Sequence, residues 1–166
     1  KDGRAQPSVI RYLSEVDGLV PWTWWPHEEV GHTDESRKEI QSVFGTQTAF
    51  DTPKPVRLIE RVLAIATKPG DLILDSFAGS GTTAHAVLKL NAQDGGSRRF
   101  ILIEMMDYAE TLTAERVRRV MSGYGEGSKA VAGLGGGFCF QSLGEPLFDE
   151  FQYLNPAVGL PAIRDY

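Results

Sequence analysis

The clearest pattern of apolar and polar positions along the chain is the stretch LILDSFAGSGTTA, from Leu72 to Ala84. Its apolar run, Leu72–Leu74, suits a buried parallel strand, and Asp75 stands at the carboxyl end of that strand. Gly79 and Gly81 permit a turn that a residue with a Cβ would obstruct. The pattern therefore predicts a strand, a ligand-binding loop and a helix, in that order.

A second apolar run, Phe100–Ile103, follows the predicted helix, which is expected to end near Asn91. A strand-helix-strand unit has a right-handed crossover, so its two strands lie parallel and side by side. Asp75 and Glu104 then stand at the same edge of the sheet. We expect a ligand to bind at this edge, beside the glycine loop.

Two helices are predicted upstream of the first strand. One is capped by Thr33 or Asp34, continues through Phe44 and ends at a glycine. The other is capped by Thr52, with Pro53 at its first helical position. It carries two apolar stripes, so we expect it to be buried on two sides, between the sheet and another layer. The stripes consist of Val56, Ile59, Leu63 and Ala66, and of Leu58, Val62 and Ile65.

A further helix is predicted from Tyr108 to Met121, with its apolar residues inward and Arg116, Arg118 and Arg119 largely outward. Cations near a helix carboxyl terminus stabilise its dipole, and this interpretation is preferred over contacts with phosphate. The inward residues are Ala109, Leu112, Val117 and Val120.

Beyond this helix the pattern weakens. Residues 123–137 are rich in glycine and are interpreted as a mobile connector. Phe138–Gln141 suits a short edge or hairpin strand, and the proline-containing tail suits a loop. We therefore divide the chain into a segment leading into the fold (1–49), an α/β core (50–124), and a connector, short strand and tail (125–166).

Aromatic and histidine residues cluster before the core. Trp22, Trp24 and Trp25 lie between two prolines, and they either pack over a sheet edge or an interface, or stack on bases. The first interpretation is preferred, because isolated aromatic residues are usually packing groups. His27 and His32 lack both the spacing and a cysteine partner that a metal site requires, so no metal site is predicted.

Composition restricts the class of protein. With 166 residues, 42% hydrophobic and 23% charged, the chain can form one compact domain. A net charge of −5 gives no overall attraction to nucleic acid, so DNA binding would need a local basic face or other parts of a larger protein. The single cysteine excludes an internal disulfide and fits a cytoplasmic protein.

The chain contains no apolar run as long as a membrane span, and its first residues do not resemble a signal peptide. No contact with a membrane is expected. The chain also begins without methionine, so we expect a processed or excised piece. Residues 1–20 are mixed and are compatible with either a short strand or a ragged helix.

The glycine loop itself permits several interpretations. As a dinucleotide fingerprint, Gly79 and Gly81 are followed by Ala84 where a third small residue belongs, and Glu104 comes about 25 residues later, near the expected position of a ribose-binding carboxylate. A buried turn that uses its glycines only for packing is a second interpretation. Asp75 favours a third, because a carboxylate there repels a pyrophosphate but suits a ligand with a cationic amine and sulfonium. This favours S-adenosylmethionine over NAD.

Three segments together carry a family resemblance. The loop sequence DSFAGSGTTAHAV (75–87), with FDTPKPVRLIERVLAIATKPGD (50–71) before it and RRFILIEMMDYAETLTAERVRRV (98–120) after it, closely resembles the modification subunit of type III restriction-modification systems. Those subunits are adenine-specific DNA methyltransferases of the permuted beta class. The resemblance extends well over residues 20–124. It implies an α/β, Rossmann-like, three-layer methyltransferase fold that binds S-adenosylmethionine.

The resemblance also implies a set of cofactor-binding residues. Phe77–Gly81 would line the methionine part, Asp75 would lie near its amino end, and Glu104 would bind the ribose hydroxyls. Thr52 and Lys54 would approach the carboxylate of the cofactor. At Ser76 the family more often has proline, which affects the turn more than the chemistry. The complete predicted set is Thr52, Lys54, Asp75, Phe77, Ala78, Gly79, Ser80, Gly81, Thr82 and Glu104.

One family motif is absent. The tetrapeptide Asp-Pro-Pro-Tyr, which holds the flipped adenine, does not occur here, and Asn155-Pro156 continues with Ala157. In the permuted order that motif lies upstream of Phe50. We therefore expect a carboxyl-terminal part of the enzyme, with no catalytic residue of its own, an incomplete sheet, and exposed apolar surface that a homodimer would cover.

The implied function of the parent protein is methyl transfer from S-adenosylmethionine to the N6 amino group of adenine in duplex DNA, by direct attack of the amine. The implied partners are DNA and a restriction subunit. Three alternatives remain open at this point: methylation of cytosine N4, a nicotinamide dehydrogenase domain, and a non-catalytic binding module. The isolated chain is expected to be inactive.

Overall fold

A computed structural model of the chain describes residues 12, 20–45 and 50–159. Most of the predictions for residues 1–20 therefore lie outside the described residues. The chain separates into two compact units, residues 1–135 and residues 136–166. The first unit carries every predicted site residue.

The first unit is a mixed α/β structure. Along the chain, its helices and strands are α1 (His27–Val30), α2 (Thr33–Phe44), α3 (Val56–Ala66), β1 (Leu72–Asp75), α4 (Thr82–Asp94), β2 (Arg99–Leu102), a π-helical segment (Ala109–Ala114), α5 (Glu115–Ser122), β3 (Gly123–Tyr124), a 3₁₀ turn (Gly127–Lys129) and β4 (Val131–Ala132). None of the helices among the described residues is long and apolar enough to cross a membrane.

The predicted strand-helix-strand unit is confirmed. β1 and β2 pair in parallel, with Leu72 opposite Arg99 and Asp75 opposite Leu102. Helices α3 and α4 pack together, and their apolar residues form one core cluster with the central residue of β1. This cluster comprises Val56, Leu63, Ile73, Ala86, Val87 and Leu90.

The other face of this two-stranded sheet is exposed. Leu74 and Ile103 are 61% and 52% exposed, and Leu72 and Ile101 are also exposed, whereas Ile73 is buried. Side chains alternate between the faces of a strand, so β1 is buried on one side only. The prediction of a buried strand therefore holds for one face of β1 only, and the bare second face agrees with the expected incomplete sheet and exposed apolar surface.

Helix α3 differs from its prediction in two ways. It begins at Val56 instead of Pro53, and its cap comes from a different helix, since the Glu39 carboxylate of α2 accepts a hydrogen bond from the Val56 N–H at 3.1 Å. Its second apolar stripe is also uncovered, with Val62 and Ile65 exposed. Burial on two sides is therefore not seen among the described residues.

Helix α4 is the central element of the unit. It continues to Asp94, three residues beyond the predicted end, and Gly95 terminates it in a left-handed conformation, donating its N–H to the Asn91 carbonyl at 2.9 Å. Residues from Thr82 to Leu88 are all buried. This all-round burial fixes the helix end that follows the glycine loop, while the first part of the loop stays at the surface.

The last predicted helix begins as a π-helix and continues as α5. Val117 and Val120 are buried, as predicted. Arg116 differs from its prediction. The sequence pattern predicts that it points largely outward, whereas it is 0% exposed. The prediction is wrong because hydrogen bonds to the glycine loop compensate for removing this guanidinium from water.

Residues 123–137 are more ordered than a connector. β3 and β4 pair in antiparallel orientation, and the N–H groups of Leu134 and Gly135 donate to carbonyls of α5 at 3.0 Å. These bonds extend the first unit to Gly135, beyond the predicted core boundary at residue 124.

In the second unit, the part that the structure describes contains one isolated bridge, between Phe148 and Leu154. No strand forms at Phe138–Gln141, where one was predicted. A strand needs a neighbouring strand in ladder register, and the described residues form no such ladder with this segment.

Candidate functional site

The glycine loop is a tight turn between β1 and α4. Gly79 and Gly81 have φ angles of 53° and 76°, in the left-handed region that favours glycine. The Gly81 N–H donates to the Ala78 carbonyl at 2.8 Å, which closes the turn. The Ala78 N–H donates to the Ile103 carbonyl at 3.0 Å, so the loop is also fixed to the chain that follows β2.

Asp75 organises the first half of the loop. One of its carboxylate oxygens accepts from the Phe77 N–H at 3.1 Å, two residues along the chain. The other accepts from the Thr83 hydroxyl of α4 at 2.5 Å. Asp75 is partly exposed, so its carboxylate keeps acceptor capacity for a ligand while holding the loop to the helix.

Glu104 holds the second half of the loop. Its Oε2 accepts from the Gly79 N–H at 2.8 Å, and its Oε1 accepts from the Met106 N–H at 3.0 Å. The prediction that Asp75 and Glu104 meet at one edge of the sheet is therefore confirmed. Burial and the nearby Glu104 carboxylate raise the pKa of Tyr108 above its ordinary value.

The remaining predicted loop residues divide into two groups. Phe77 is 86% exposed, with its ring on the surface of the loop. Ala78, Ser80 and Thr82 are buried. The Ser80 and Thr82 hydroxyls lie 3.2 Å apart and bind other protein groups, so they support the loop from within.

Thr52 and Lys54 lie on the segment before α3, and both are exposed. The structure joins this segment to the loop through the backbone, because the Thr82 hydroxyl donates to the Lys54 carbonyl at 3.3 Å. On its other side, the Ser36 hydroxyl of α2 donates to the Pro53 carbonyl at 2.8 Å. The predicted carboxylate-binding segment is therefore adjacent to the loop.

Sequence reasoning missed two residues that pack on Gly79. The Thr113 hydroxyl of the π-helical segment donates to the Gly79 carbonyl at 2.6 Å. The Phe50 ring lies against Gly79, such that a Cβ there would come within 3.2 Å of it, and it packs edge-on against Tyr108. Neither residue carries a local sequence signal, because each reaches the loop only through the tertiary fold.

A third missed residue, Arg116, did carry a signal. Its spacing, four residues after Leu112 and four before Val120, places it on the buried stripe of its helix. In the structure its guanidinium contacts Ser80, Thr82 and the Nδ1 of His85. Burial and the nearby Arg116 charge lower the pKa of His85 to about 3, so this imidazole is neutral at physiological pH.

The tryptophans and histidines near the amino terminus contribute no contact to this loop that the structure describes. Trp22 and Trp24 are exposed, so neither covers a sheet edge within the described structure, and packing at an interface with a further part of the protein stays a prediction. Nδ1 of His32 caps α2 by accepting from the Glu35 N–H at 3.4 Å, and its ring lies 5.6 Å from that of His27.

The site therefore consists of two carboxylates and a row of backbone groups at the carboxyl end of two parallel strands. Carboxylates accept hydrogen bonds from hydroxyl groups and attract cationic groups, and they repel a pyrophosphate. The exposed ring of Phe77 adds an apolar surface beside them. This combination suits a ligand that contains ribose and an ammonium or sulfonium centre.

Comparison with known proteins assigns the chain to a family. A model of the DNA methylase family matches residues 3–115. The chain is 42% identical over 102 residues to the StyLTI Mod subunit, a type III restriction-modification enzyme of Salmonella typhimurium, and 51% identical over 96 residues to the type II methyltransferase M.KpnI of Klebsiella pneumoniae. It is 42% identical over 92 residues to the EcoPI Mod subunit of Escherichia phage P1.

These matches cover 61%, 58% and 55% of the chain, but only 15%, 22% and 14% of the respective relatives. The chain thus corresponds to a small part of each of these proteins. The resemblance to type III modification subunits is confirmed. Because the family model matches more than half of its residues, the chain belongs to the DNA methylase family.

Proposed function

We propose that this chain is the S-adenosylmethionine-binding part of a methyltransferase that modifies the N6 amino group of adenine in duplex DNA. Membership of the DNA methylase family and similarity to type III Mod subunits support the reaction class. The adenine specificity follows from that similarity. Transfer to the N4 amino group of cytosine is the alternative, because the groups that would discriminate between the two bases are not among the matched segments.

The observation that carries the proposal is the position of Asp75 and Glu104 on either side of one glycine loop. Both carboxylates accept N–H groups of the loop, at 3.1 and 2.8 Å. They bring negative charge to the place where a dinucleotide-binding loop would receive a pyrophosphate. This is a physical reason to prefer S-adenosylmethionine over NAD.

The proposed cofactor contacts follow from the resemblance to the family, and the position of the two carboxylates beside the loop supports them. Glu104 would accept the ribose hydroxyls, and Asp75 would lie near the amino group of the methionine part. Phe77 to Gly81 would line that part, and Thr52 and Lys54 would approach its carboxylate, with Lys54 as a point charge. When bound, S-adenosylmethionine supplies an electrophilic methyl group. The residues of this chain bind and orient the cofactor.

The proposed fold is Rossmann-like, with helices on both faces of a larger parallel sheet. Helices α3 and α4 cover one face of β1 and β2, and the bare apolar positions on the other face would suit a further layer. The base-binding groups would also lie outside the present sequence, since no Asp-Pro-Pro-Tyr occurs in it. Duplex DNA, a restriction subunit and a cytoplasmic location are proposed from the relatives for the complete protein.

Calorimetric titration of the chain with S-adenosylmethionine, with NAD as the control ligand, tests this proposal. We expect saturable binding of S-adenosylmethionine only. Glu104→Gln should weaken it by about 1 to 3 kcal/mol, the range for losing a hydrogen bond to a charged group. Glu110→Gln changes an exposed carboxylate on the π-helical segment, away from the loop contacts, and should leave the affinity unchanged.

Tight binding of NAD would overturn the proposal. Absence of S-adenosylmethionine binding would contradict the claim that this chain forms the cofactor site by itself. If Glu104→Gln and Glu110→Gln weakened S-adenosylmethionine binding equally, the proposed contact of Glu104 with the ribose would be refuted.

A further inference from the structure

The buried guanidinium of Arg116 has an unusual set of partners. Its Nη1 donates to the Ser80 hydroxyl and the Thr82 hydroxyl, both at 2.9 Å, and to the Ser80 carbonyl at 3.2 Å. All three acceptors are uncharged. Among the residues that the structure describes, no carboxylate forms an ion pair with Arg116, and its Nε has no hydrogen-bond partner.

Placing a guanidinium in the interior without a carboxylate partner is energetically expensive. Burial lowers the pKa of Arg116 to about 10, so the side chain remains charged at neutral pH. The hydrogen bonds that offset this expense are made to the glycine loop and the first turn of α4, while the Glu39 carboxylate of α2 favours the charged form without forming an ion pair. A leucine or methionine would fill the same volume without the desolvation, so the charge and the donor groups have a use beyond packing.

The contacts of Arg116 extend to a second segment of the proposed cofactor site. Thr82 Oγ1 accepts from Arg116 and donates to the Lys54 carbonyl at 3.3 Å. Arg116 is thereby connected, through one hydroxyl, to the segment that would hold the carboxylate of the cofactor. Through Ser80 it is connected to the loop that would hold the rest of the methionine part.

His85 completes the arrangement from α4. Its Nδ1 lies 3.3 Å from Nη2 of Arg116. Arginine has no acceptor, so Nδ1 must accept this hydrogen bond and the imidazole proton must lie on Nε2. A neutral His85 therefore fixes the plane of the guanidinium while Nη1 holds the loop.

We propose that Arg116 is a positioning residue, which fixes the glycine loop relative to Thr52–Lys54 and so determines affinity for the methionine half of S-adenosylmethionine. This inference rests on the proposed function. It acts through Ser80 and Thr82, without contact between Arg116 and the ligand. The loss of Arg116 and the loss of the Thr82 hydroxyl should therefore have overlapping effects.

The experiment is titration calorimetry with S-adenosylmethionine on the unmodified chain and a set of variants. Arg116→Met should weaken binding at least tenfold, and Arg116→Lys, which keeps the charge but cannot reach both hydroxyls in one plane, should recover part of that loss. Arg119→Met is the matched control on the same helix, where the arginine is partly exposed and paired with Glu115, and it should leave the affinity unchanged.

Thr82→Val removes the shared hydroxyl with little change of shape, and adding it to Arg116→Met should weaken binding little further. If Arg116→Met does not fold, Thr82→Val and Arg116→Lys still test the inference, since each must weaken binding relative to Arg119→Met. The inference would be overturned if Arg116→Met or Arg116→Lys bound S-adenosylmethionine as tightly as the unmodified chain. It would also be overturned if the two losses of affinity were independent, so that the fold-change of the double variant equalled the product of the single fold-changes. Either result would leave the proposed function standing. Failure of the unmodified chain to bind would overturn the proposed function, and this inference with it.

Discussion

At the scale of single residues, the loop is shaped by contacts that leave little room for a side chain. A Cβ at Gly81 would lie 3.1 Å from the Thr113 carbonyl oxygen, and at Gly79 it would lie 3.2 Å from the Phe50 ring. Both glycines also have positive φ angles. Glycine at these positions therefore meets two separate requirements: a left-handed backbone, and close packing against Thr113 or Phe50.

Gly81→Ala should separate these requirements when it is compared with Gly95→Ala. Gly95 has a similar φ angle of 69°, but a Cβ there would have nothing within 4 Å. Gly95→Ala should lower the free energy of unfolding by about 1 kcal/mol, the conformational term alone. Gly81→Ala should lower it by about 2 to 3 kcal/mol, because the contact with Thr113 adds strain. Denaturant unfolding measures both values, and equal losses would show that the contact relaxes freely.

At the scale of secondary structure elements, α4 and α5 are joined by buried polar contacts, from Arg116 of α5 to Thr82 and His85 of α4. His85 of α4 and Arg116 of α5 are both buried, and both have lowered pKa values. Glu39 of α2 and Lys89 of α4 line the same cavity of about 460 Å³ as His85. Burial raises the pKa of Glu39. Packing of these helices is therefore coupled to the protonation state of His85.

This coupling predicts a pH dependence of stability. The ordinary histidine pKa is 6.5 and that of folded His85 is about 3, so between these values the unfolded chain binds a proton that the folded chain does not. Stability should therefore fall as the pH falls below 6.5, by about 1.4 kcal/mol per pH unit from this residue.

The comparison that isolates this effect is unfolding of His85→Gln across the same pH range. Glutamine keeps an acceptor for Arg116 and does not titrate. Effects of carboxylates such as Glu35 and Asp94, whose pKa values are lowered by Arg57 and Arg98 respectively, are common to both proteins and cancel in the difference. As the pH falls from 6.5 to 4, the unmodified chain should lose more stability than His85→Gln does. Parallel stability curves would rule out a role for His85 in the acid sensitivity.

At the scale of the whole molecule, the main feature is the uncovered face of the β1–β2 sheet. Its apolar positions Leu72, Leu74 and Ile101 are all exposed, and so is Ile103 directly after β2. An apolar surface of this kind favours association. In a purified preparation of the isolated chain, this surface can associate only with another copy of the chain.

The isolated chain should therefore self-associate as its concentration rises, and Ile101→Lys should shift it toward the monomer. Light scattering coupled to size-exclusion chromatography measures both. Val131→Lys introduces the same charge at a similarly exposed apolar position on β4 and should not change the association. A clean monomer at high concentration, or an equal effect of the two substitutions, would exclude this face as the contact.

The sequence by itself determined the strand, loop and helix around Gly79 and Gly81, the parallel neighbour, and the meeting of Asp75 and Glu104. These features follow from local patterns and from the handedness of chain crossovers, which need no knowledge of distant contacts. The family was likewise readable from the motif. Only the tertiary structure decided that Arg116 lies inside and that α3 begins at Val56. The spacing of Arg116 indicates the buried stripe, but the hydrogen-bond partners that make its burial possible, like the Glu39 cap of α3, come from other elements, which residue type and spacing alone do not identify.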